Sequence, residues 1–474
     1  MSHNKFINRT HELTFLEDRF RSNNSELLIL YGRRRVGKTE LLIRFLEDKK
    51  GIYILATTES EKINIGIFAK EIADFLDDPN FALISYPSFE ALWTSFLSHH
   101  QFQKIAETQK KIPIILDEFP YLIERNRTIP SQFQRIWDLH MRDSPVMLIL
   151  SGSSISIMEQ EVLGYKSPLY GRRTGQWQVE PLSFEHLKEF LPWSGVDLAQ
   201  VWFITGGIPA YLELFDSTMD FWSNVSSLFL TKGAYLTMEA ELLLQYEFRE
   251  PANYLTILKA IAERHTSLGE IIQASGLDRS MVSKYLSVLL KLHIVREELP
   301  VTATPGSRKR RYRISDPYLS FWFRFVYPEM TAIEARQTSQ VLKRIKNNFP
   351  GFSGPLFELL TEHLIRERVL FPDTPINQLG RWWHNETEID LVGISESEDL
   401  MICVECKWTD LSQNEAHVIL KKLEEKSQMV RWKNEKRKTI YALVGKKIAG
   451  KRDIRKSGYE VYDLSDIDRI LGYH

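Results

Sequence analysis

Three sets of residues carry types and spacings suited to chemistry. Gly32, Arg33, Arg34, Arg35, Val36, Gly37, Lys38, Thr39 and Glu40 form a glycine-bounded loop of the pattern G-x-x-x-x-G-K-[ST]. Such glycines let backbone N–H groups turn inward around phosphate oxygens; Lys38 would reach the β and γ phosphates, and the Thr39 hydroxyl would ligate Mg²⁺. Asp117 and Glu118 close the apolar run IPIILDEF, where one carboxylate suits the metal shell and the other orients or deprotonates water. Downstream, Asp390 precedes the Glu-x-Lys of Glu405 and Lys407. These two acids, with Glu358 as a further member, would ligate Mg²⁺ or Mn²⁺ while Lys407 helps to activate the attacking water.

Each set needs elements to hold it. LLILY, from Leu27, reads as a strand feeding the loop, and Leu41, Leu42, Phe45 and Leu46 follow at helical spacing, so a helix aims its N-terminal dipole at the same charge. GIYILATT and IPIILDEF read as buried strands. VMLILSGSS reads as another, wedged between the loop strand and the Asp117 strand with its small hydroxyl residues near the γ-phosphate. Alternating strands and helices predict a parallel sheet with ligands at the carboxyl ends of its strands. In LYGRRTGQW, Arg172 and Arg173 occupy a Gly-flanked loop. Two readings stand: stabilisation of a transferring phosphoryl group, in cis or on a neighbouring subunit, or a surface pair bonded to local carboxylates.

From Ser183 the pattern is helical. From Pro251, three helical segments and two strands joined through Thr304-Pro305-Gly306 predict a winged helix-turn-helix, with Asp278 as N-cap of the third helix. Arg279, Ser280, Ser283 and Lys284 lie at the exposed start of that helix. Arg308, Lys309, Arg310, Arg311 and Arg313 make the wing basic, which suits phosphate contacts, although such a module also serves as a rigid or protein-contacting part. DPYLSFWFRF reads as an aromatic core, and Pro350-Gly351 as a boundary. Beyond it come an amphipathic helix carrying Glu358 and two strands; on the second, Glu405 and Lys407 share one face.

The motifs YGRRRVGKTELL, IILDEF, LILSGSS, PLYGRRTG and TGGIPAYL together resemble the prokaryotic P-loop ATPase family first recognised in archaea, a relative of the signal-transducing ATPases with numerous domains and, more distantly, of AAA+ proteins. That resemblance implies ATP and Mg²⁺ as cofactors, an amino-terminal segment with Phe6, Arg9, Glu12 and Leu13 near the adenine, and a helical lid with Gly207 and Pro209 as its Gly-x-Pro, the proline contacting the adenine side. The acid, hairpin and Glu-x-Lys arrangement resembles the PD-(D/E)XK nuclease core. The fold class expected is α/β: a P-loop core over 1–182, a helical lid over 183–250, a winged helix over 251–325, a helical linker over 326–350 and a restriction-endonuclease-like domain over 351–474. The function expected is an ATP-driven switch or motor coupled to a domain acting on DNA or RNA. The alternative is a regulatory ATPase with an inactive nuclease fold that binds DNA or a protein partner.

Composition sets outer bounds. A chain of 474 residues exceeds one core, and 43% hydrophobic with 26% charged residues is the balance of a soluble globular protein. A formal net charge of −1 confines any nucleic-acid surface to local patches. Two cysteines, Cys403 and Cys406, exclude a disulfide framework, and their C-x-x-C lacks a second pair to complete a zinc site. With no signal core and no spanning apolar run, a cytoplasmic location without membrane partners is expected; self-association stays open.

Overall fold

A computed structural model describes residues 6–248, 250–304, 306–307 and 309–473, so Pro305 and Arg308 of the wing lie outside the described residues. The chain divides into two compact units, one ending at Pro181 and the other starting at Leu182. In the first, β1 (Glu26–Tyr31), β2 (Ile52–Leu55), β3 (Ile112–Asp117), β4 (Val146–Gly152) and β5 (Gly175–Gln178) form a parallel sheet in the order β2-β3-β4-β1-β5. Strands β1, β3 and β4 are buried at every position, because helices cover both faces of such a sheet, and their sequences are accordingly near-continuous Leu, Ile and Val. As expected, β4 is the strand between the loop strand and the acidic strand: Ile149 pairs with Leu28 on one side and Ile115 on the other. The helices α1 (Thr10–Arg21) and α2 (Lys38–Leu46) flank β1, and α2 buries Leu41, Leu42 and Phe45.

In the second unit, α3 (Gly195–Thr205) is apolar around most of its circumference and is covered accordingly: Phe203 meets Trp408 at 4.9 Å, and Trp202 stacks on His363. Gly207, at φ +76°, must be glycine, since a Cβ would stand 2.1 Å from the Leu182 carbonyl oxygen. Pro209 opens the short helix Pro209–Leu212.

The winged helix comprises α4 (Ala252–Ala262), α5 (Leu268–Ser275), α6 (Arg279–Lys291) and the antiparallel pair β6 (Val295–Glu298) and β7 (Arg311–Ile314). Asp278 caps α6, accepting from the Met281 N–H at 2.9 Å, and Ser267 with Glu270 forms a capping box on α5. The aromatic run is core: Tyr318, Phe321, Trp322 and Phe323 are buried, and the Trp322 indole donates to the Thr237 carbonyl at 2.7 Å.

The boundary read at Pro350-Gly351 is not a break. One helix, α7 (Thr338–Arg366), runs through both Pro350 and Pro355. Proline normally disrupts a helix because it leaves the carbonyl four residues earlier without a donor. For Pro355 the orphaned carbonyl, that of Gly351, accepts a hydrogen bond from the Arg264 guanidinium. The buried stripe Val341, Ile345, Phe349, Leu356, Leu360 and Leu364 continues across the prolines and ties both halves of the helix to one core.

β8 (Gln378–His384), β9 (Thr387–Ser395), β10 (Leu400–Leu411), β11 (Lys438–Ile448) and β12 (Glu460–Asp463) form a mixed sheet in the order β12-β11-β10-β9-β8. The β8-β9-β10 part is antiparallel, and α8 (Gln413–Ser427) crosses between the parallel strands β10 and β11. Cys403 and Cys406 are free thiols buried on β10, so their C-x-x-C spacing serves packing.

Candidate nucleotide site and C-terminal charged cluster

The loop after β1 is positioned from below and from the side. A Cβ on Gly32 would stand 2.3 Å from the Val179 carbonyl oxygen, so only glycine permits that backbone approach. Gly37, at φ +91°, takes the left-handed conformation that begins α2. Arg9, buried, donates to the Val36 carbonyl at 2.6 Å and the Glu180 carbonyl at 2.9 Å, and pairs with Glu12 at 2.8 Å. The amino-terminal segment thereby pins the loop. Lys38 is buried and its ammonium donates to the Gly32 carbonyl at 2.9 Å and the Arg33 carbonyl at 3.1 Å, curled over the loop where phosphate oxygens would be held. Arg34 donates to the Tyr121 hydroxyl at 2.9 Å. Arg35, at φ +70°, and Glu40, in the first turn of α2, complete the loop.

The two acids stand where the strand order delivers them. Thr39 Oγ1 donates to Asp117 Oδ2 at 2.7 Å, and the Tyr53 hydroxyl donates to the same oxygen at 2.8 Å. Burial raises the Tyr53 hydroxyl's pKa, and the Asp117 charge raises it further, so it stays a donor. A hydroxyl and a carboxylate in contact at the carboxyl edge of the sheet are a fitting donor set for a hard cation such as Mg²⁺. Glu118 takes φ +54°, a strained conformation for a non-glycine residue, and accepts from Ser153 Oγ at 2.5 Å. A hydroxyl just past the tip of β4 thus holds the second acid, a contact beyond the γ-phosphate placement expected for that run. Tyr53 went unread because a tyrosine in a short strand carries no pattern until β2 is known to pair with β3.

Arg172 and Arg173 divide. Arg172 pairs with Asp138 at 3.1 Å, beside residues that precede β1, β3 and β4, at the sheet edge opposite the phosphate loop. The in-cis role is therefore corrected to the surface-pair reading for Arg172. Arg173 donates to the Leu163 carbonyl at 3.1 Å and lies over the Tyr170 ring.

In the second unit, β9 and β10 do bring Asp390, Glu405 and Lys407 together. Lys407 Nζ lies 2.7 Å from Glu405 and 3.4 Å from Asp390, and the Cys406 N–H donates to Asp390 at 2.8 Å. A lysine outside the Glu-x-Lys motif completes the cluster: Lys426 of α8 lies 2.6 Å from the other Glu405 oxygen. Burial raises the Asp390 carboxyl, with the Glu405 charge adding to it. For Glu405, burial is outweighed by Lys407 and Lys426, which hold its carboxyl below the usual range. For Lys407, burial is outweighed by Asp390 and Glu405, which hold it protonated.

Glu358 does not join this cluster. It pairs with Arg381 of β8, which also pairs with Glu388, because the α7 face that carries Glu358 meets β8. Among the described residues no group of three or more His, Cys, Asp or Glu side chains is placed to hold a metal ion. The Mg²⁺ or Mn²⁺ expected in the C-terminal domain does not fit these donors, which are already compensated by two ammonium groups.

The basic wing is likewise engaged within its own unit. Arg313 pairs with Glu298 at 2.8 Å, Arg310 with Glu297 at 3.1 Å, and Lys309 Nζ lies 3.2 Å from a His384 ring nitrogen. By contrast Arg279, Ser280, Ser283 and Lys284 on α6 are exposed. The phosphate-contact reading of the wing gives way to a protein-contact one for Arg311 and Arg313, and the exposed face of α6 remains.

A parallel sheet with this strand order, a phosphate loop and an acidic strand beside the inserted strand defines a P-loop ATPase core. Residues 6–215 match the family described as an ATPase domain predominantly from Archaea, residues 252–298 the IclR helix-turn-helix domain, and residues 322–419 a family of archaeal and bacterial proteins of unknown function. The chain is 35% identical over 466 residues to the uncharacterized protein MJECL04 of Methanocaldococcus jannaschii, covering 97% of this chain and 99% of that one. It belongs to that family of archaeal-type ATPases. A solved Walker-type ATPase of Pyrococcus abyssi shares the fold at a TM-score of 0.53 and 21% identity, over 67% of this chain and 96% of that one. Among the described residues, no helix is long and apolar enough to cross a membrane.

Proposed function

We propose that this chain is a cytoplasmic regulatory ATPase: it binds ATP with Mg²⁺ in the first unit, hydrolyses it, and engages DNA or a protein partner through the exposed face of α6. The 2.7 Å contact between Thr39 and Asp117 carries the reading, since it places a metal ligand of the loop against the acidic strand. Lys38 and the loop N–H groups bind and neutralise phosphate oxygens, and Arg9 fixes the loop. Thr39 and Asp117 would hold Mg²⁺, which supplies charge neutralisation on the phosphates. Glu118, oriented by Ser153, aligns water and takes its proton. In the C-terminal domain, Asp390, Glu405 and Lys407 stand together as the nuclease resemblance implies, but Lys407 and Lys426 supply the charge compensation that a metal would; the reading favoured is a nuclease-like fold without cleavage.

The test is ATP turnover and binding by the full chain. Glu118→Gln is expected to keep ATP while kcat falls about 10²- to 10⁴-fold, and Lys38→Ala to lose binding or turnover. Equal kcat in wild type and Glu118→Gln would remove Glu118 from the mechanism. Metal-dependent cleavage of DNA or RNA by the wild type, abolished in Lys407→Ala, would restore the nuclease reading.

A further inference from the structure

A cleft of about 320 Å³ lies within the second unit, walled by the winged helix on one side and by α7 on the other. Its charged lining is of one sign. Arg264, Arg296, Arg313 and Arg324 all border it, and among the described residues no aspartate or glutamate does. Phe352 and Leu356 supply an apolar wall. Four guanidinium groups around a half-open, half-apolar space of this size form an unusual concentration of charge, and nothing in the nucleotide site or the C-terminal cluster uses it.

Three of the arginines are partly accounted for. Arg313 and Arg296 share Glu298, at 2.8 and 2.6 Å, and Arg264 serves the Gly351 carbonyl. Even so, Glu298 is shared with a third guanidinium, that of Arg381, and the second carboxylate near Arg296, Glu362, stands 3.9 Å away, so positive charge stays in excess around the cleft. Arg324 makes no hydrogen bond or ion pair with a described residue. It projects from Trp322–Val326, a turn of π-helix in which the Tyr327 N–H bonds back to the Trp322 carbonyl; such widened turns recur at binding sites.

We propose that this cleft is a binding site for a small organic anion, a phosphomonoester or carboxylate on a compact apolar body, held by Arg324 and Arg296 and packed on Phe352 and Leu356. Guanidinium forks match both oxyanions bidentately, and a cleft near 300 Å³ accommodates one small molecule. Because its walls belong to α7 and to the winged helix, the occupant would brace these two elements against each other.

The probes are phenyl phosphate and benzoate, titrated by calorimetry into the full chain, with inorganic phosphate as the anion that lacks an apolar body. At least one organic probe is expected to bind, tenfold or more tighter than inorganic phosphate, and to bind equally well to Lys38→Ala, which separates this site from the phosphate loop. Arg324→Gln is expected to weaken that binding tenfold or more; should that variant fold poorly, Arg324→Lys, which keeps the charge but loses the fork, is expected to weaken it severalfold. Binding of phenyl phosphate alone assigns a phosphate ligand, and binding of benzoate alone a carboxylate. The proposal is overturned if neither probe binds, if inorganic phosphate binds as tightly, if the Arg324 variants bind like wild type, or if Lys38→Ala abolishes binding.

Discussion

Arg311 of the wing strand donates to Glu388 of β9 at 3.0 Å, and its guanidinium lies 4.4 Å from the centre of the Trp383 ring on β8. The winged helix is thus joined to the C-terminal sheet through the very residues that would otherwise read as a phosphate-binding wing. Arg381 extends the join, reaching Glu298 at 4.0 Å as well as Glu388 and Glu358.

If duplex DNA is the partner, the ion release on binding comes from α6 and not from Arg311. Arg279→Ala with Lys284→Ala should flatten the slope of log affinity against log salt by about two units. Arg311→Gln should leave that slope unchanged while lowering the melting temperature by about 2–4 °C. A flatter slope in Arg311→Gln would return the wing to DNA.

The same join makes the second unit sensitive to acid. For Glu298 and for Glu388, burial alone would raise the carboxyl; arginines outweigh it and hold both below the usual glutamate value. Carboxyls depressed by folding stabilise the native state above their unfolded value, about pH 4.3, and that stabilisation is lost as the pH falls through their lowered values. Melting temperature should therefore fall steeply below about pH 4.3, and Glu388→Gln should show a shallower fall. Identical acid profiles for the two proteins would exclude Glu388 from the linkage.

Ser153 donates its hydroxyl to Glu118, the carboxylate proposed to orient water. Ser153→Ala should lower kcat for ATP about tenfold with KM unchanged, because a misplaced water-orienting carboxylate affects the chemical step more than ground-state binding. Ser153→Thr, which keeps the hydroxyl, should restore most of the rate. A merely structural serine would shift the melting temperature and leave kcat intact.

The first unit was the more legible part of the chain because its rules are local. A glycine-bounded loop needs a strand before it and a helix after it, and a strand ending in Ser151 and Gly152 suits the slot between β1 and β3. The caps at Asp278 and the alternation of Glu405 with buried Val404 and Cys406 were legible for the same reason. What escaped reading was long-range pairing of charges. Nothing local says that Glu358 will meet Arg381 rather than Asp390, that Lys426 will reach back across a crossover to Glu405, or that Arg172 will meet Asp138. Pro350-Gly351 misled because a helix survives proline when a distant side chain, here Arg264 for Pro355, serves a freed carbonyl.

The cluster on β9 and β10 separates a metal centre from a compensated one. Two carboxylates on neighbouring strands repel each other unless a cation stands between them, and in this protein Lys407 contacts both while Lys426 holds the far oxygen of Glu405. The ammonium groups thus occupy the place where a divalent ion would act. Mn²⁺ or Mg²⁺ should leave the melting temperature of Thr39→Ala unchanged, a background chosen so that the metal ligand of the phosphate loop makes no contribution. Replacing both lysines in that background, Lys407→Ala with Lys426→Ala, should lower the melting temperature by several degrees, since it strands Glu405 as a buried uncompensated charge. Mn²⁺ should then recover part of the loss, because the uncompensated acid pair gains the affinity for hard cations that the lysines suppress. A rise in melting temperature with Mn²⁺ while both lysines are still present would show that the metal displaces them and that the cluster is a metal centre after all.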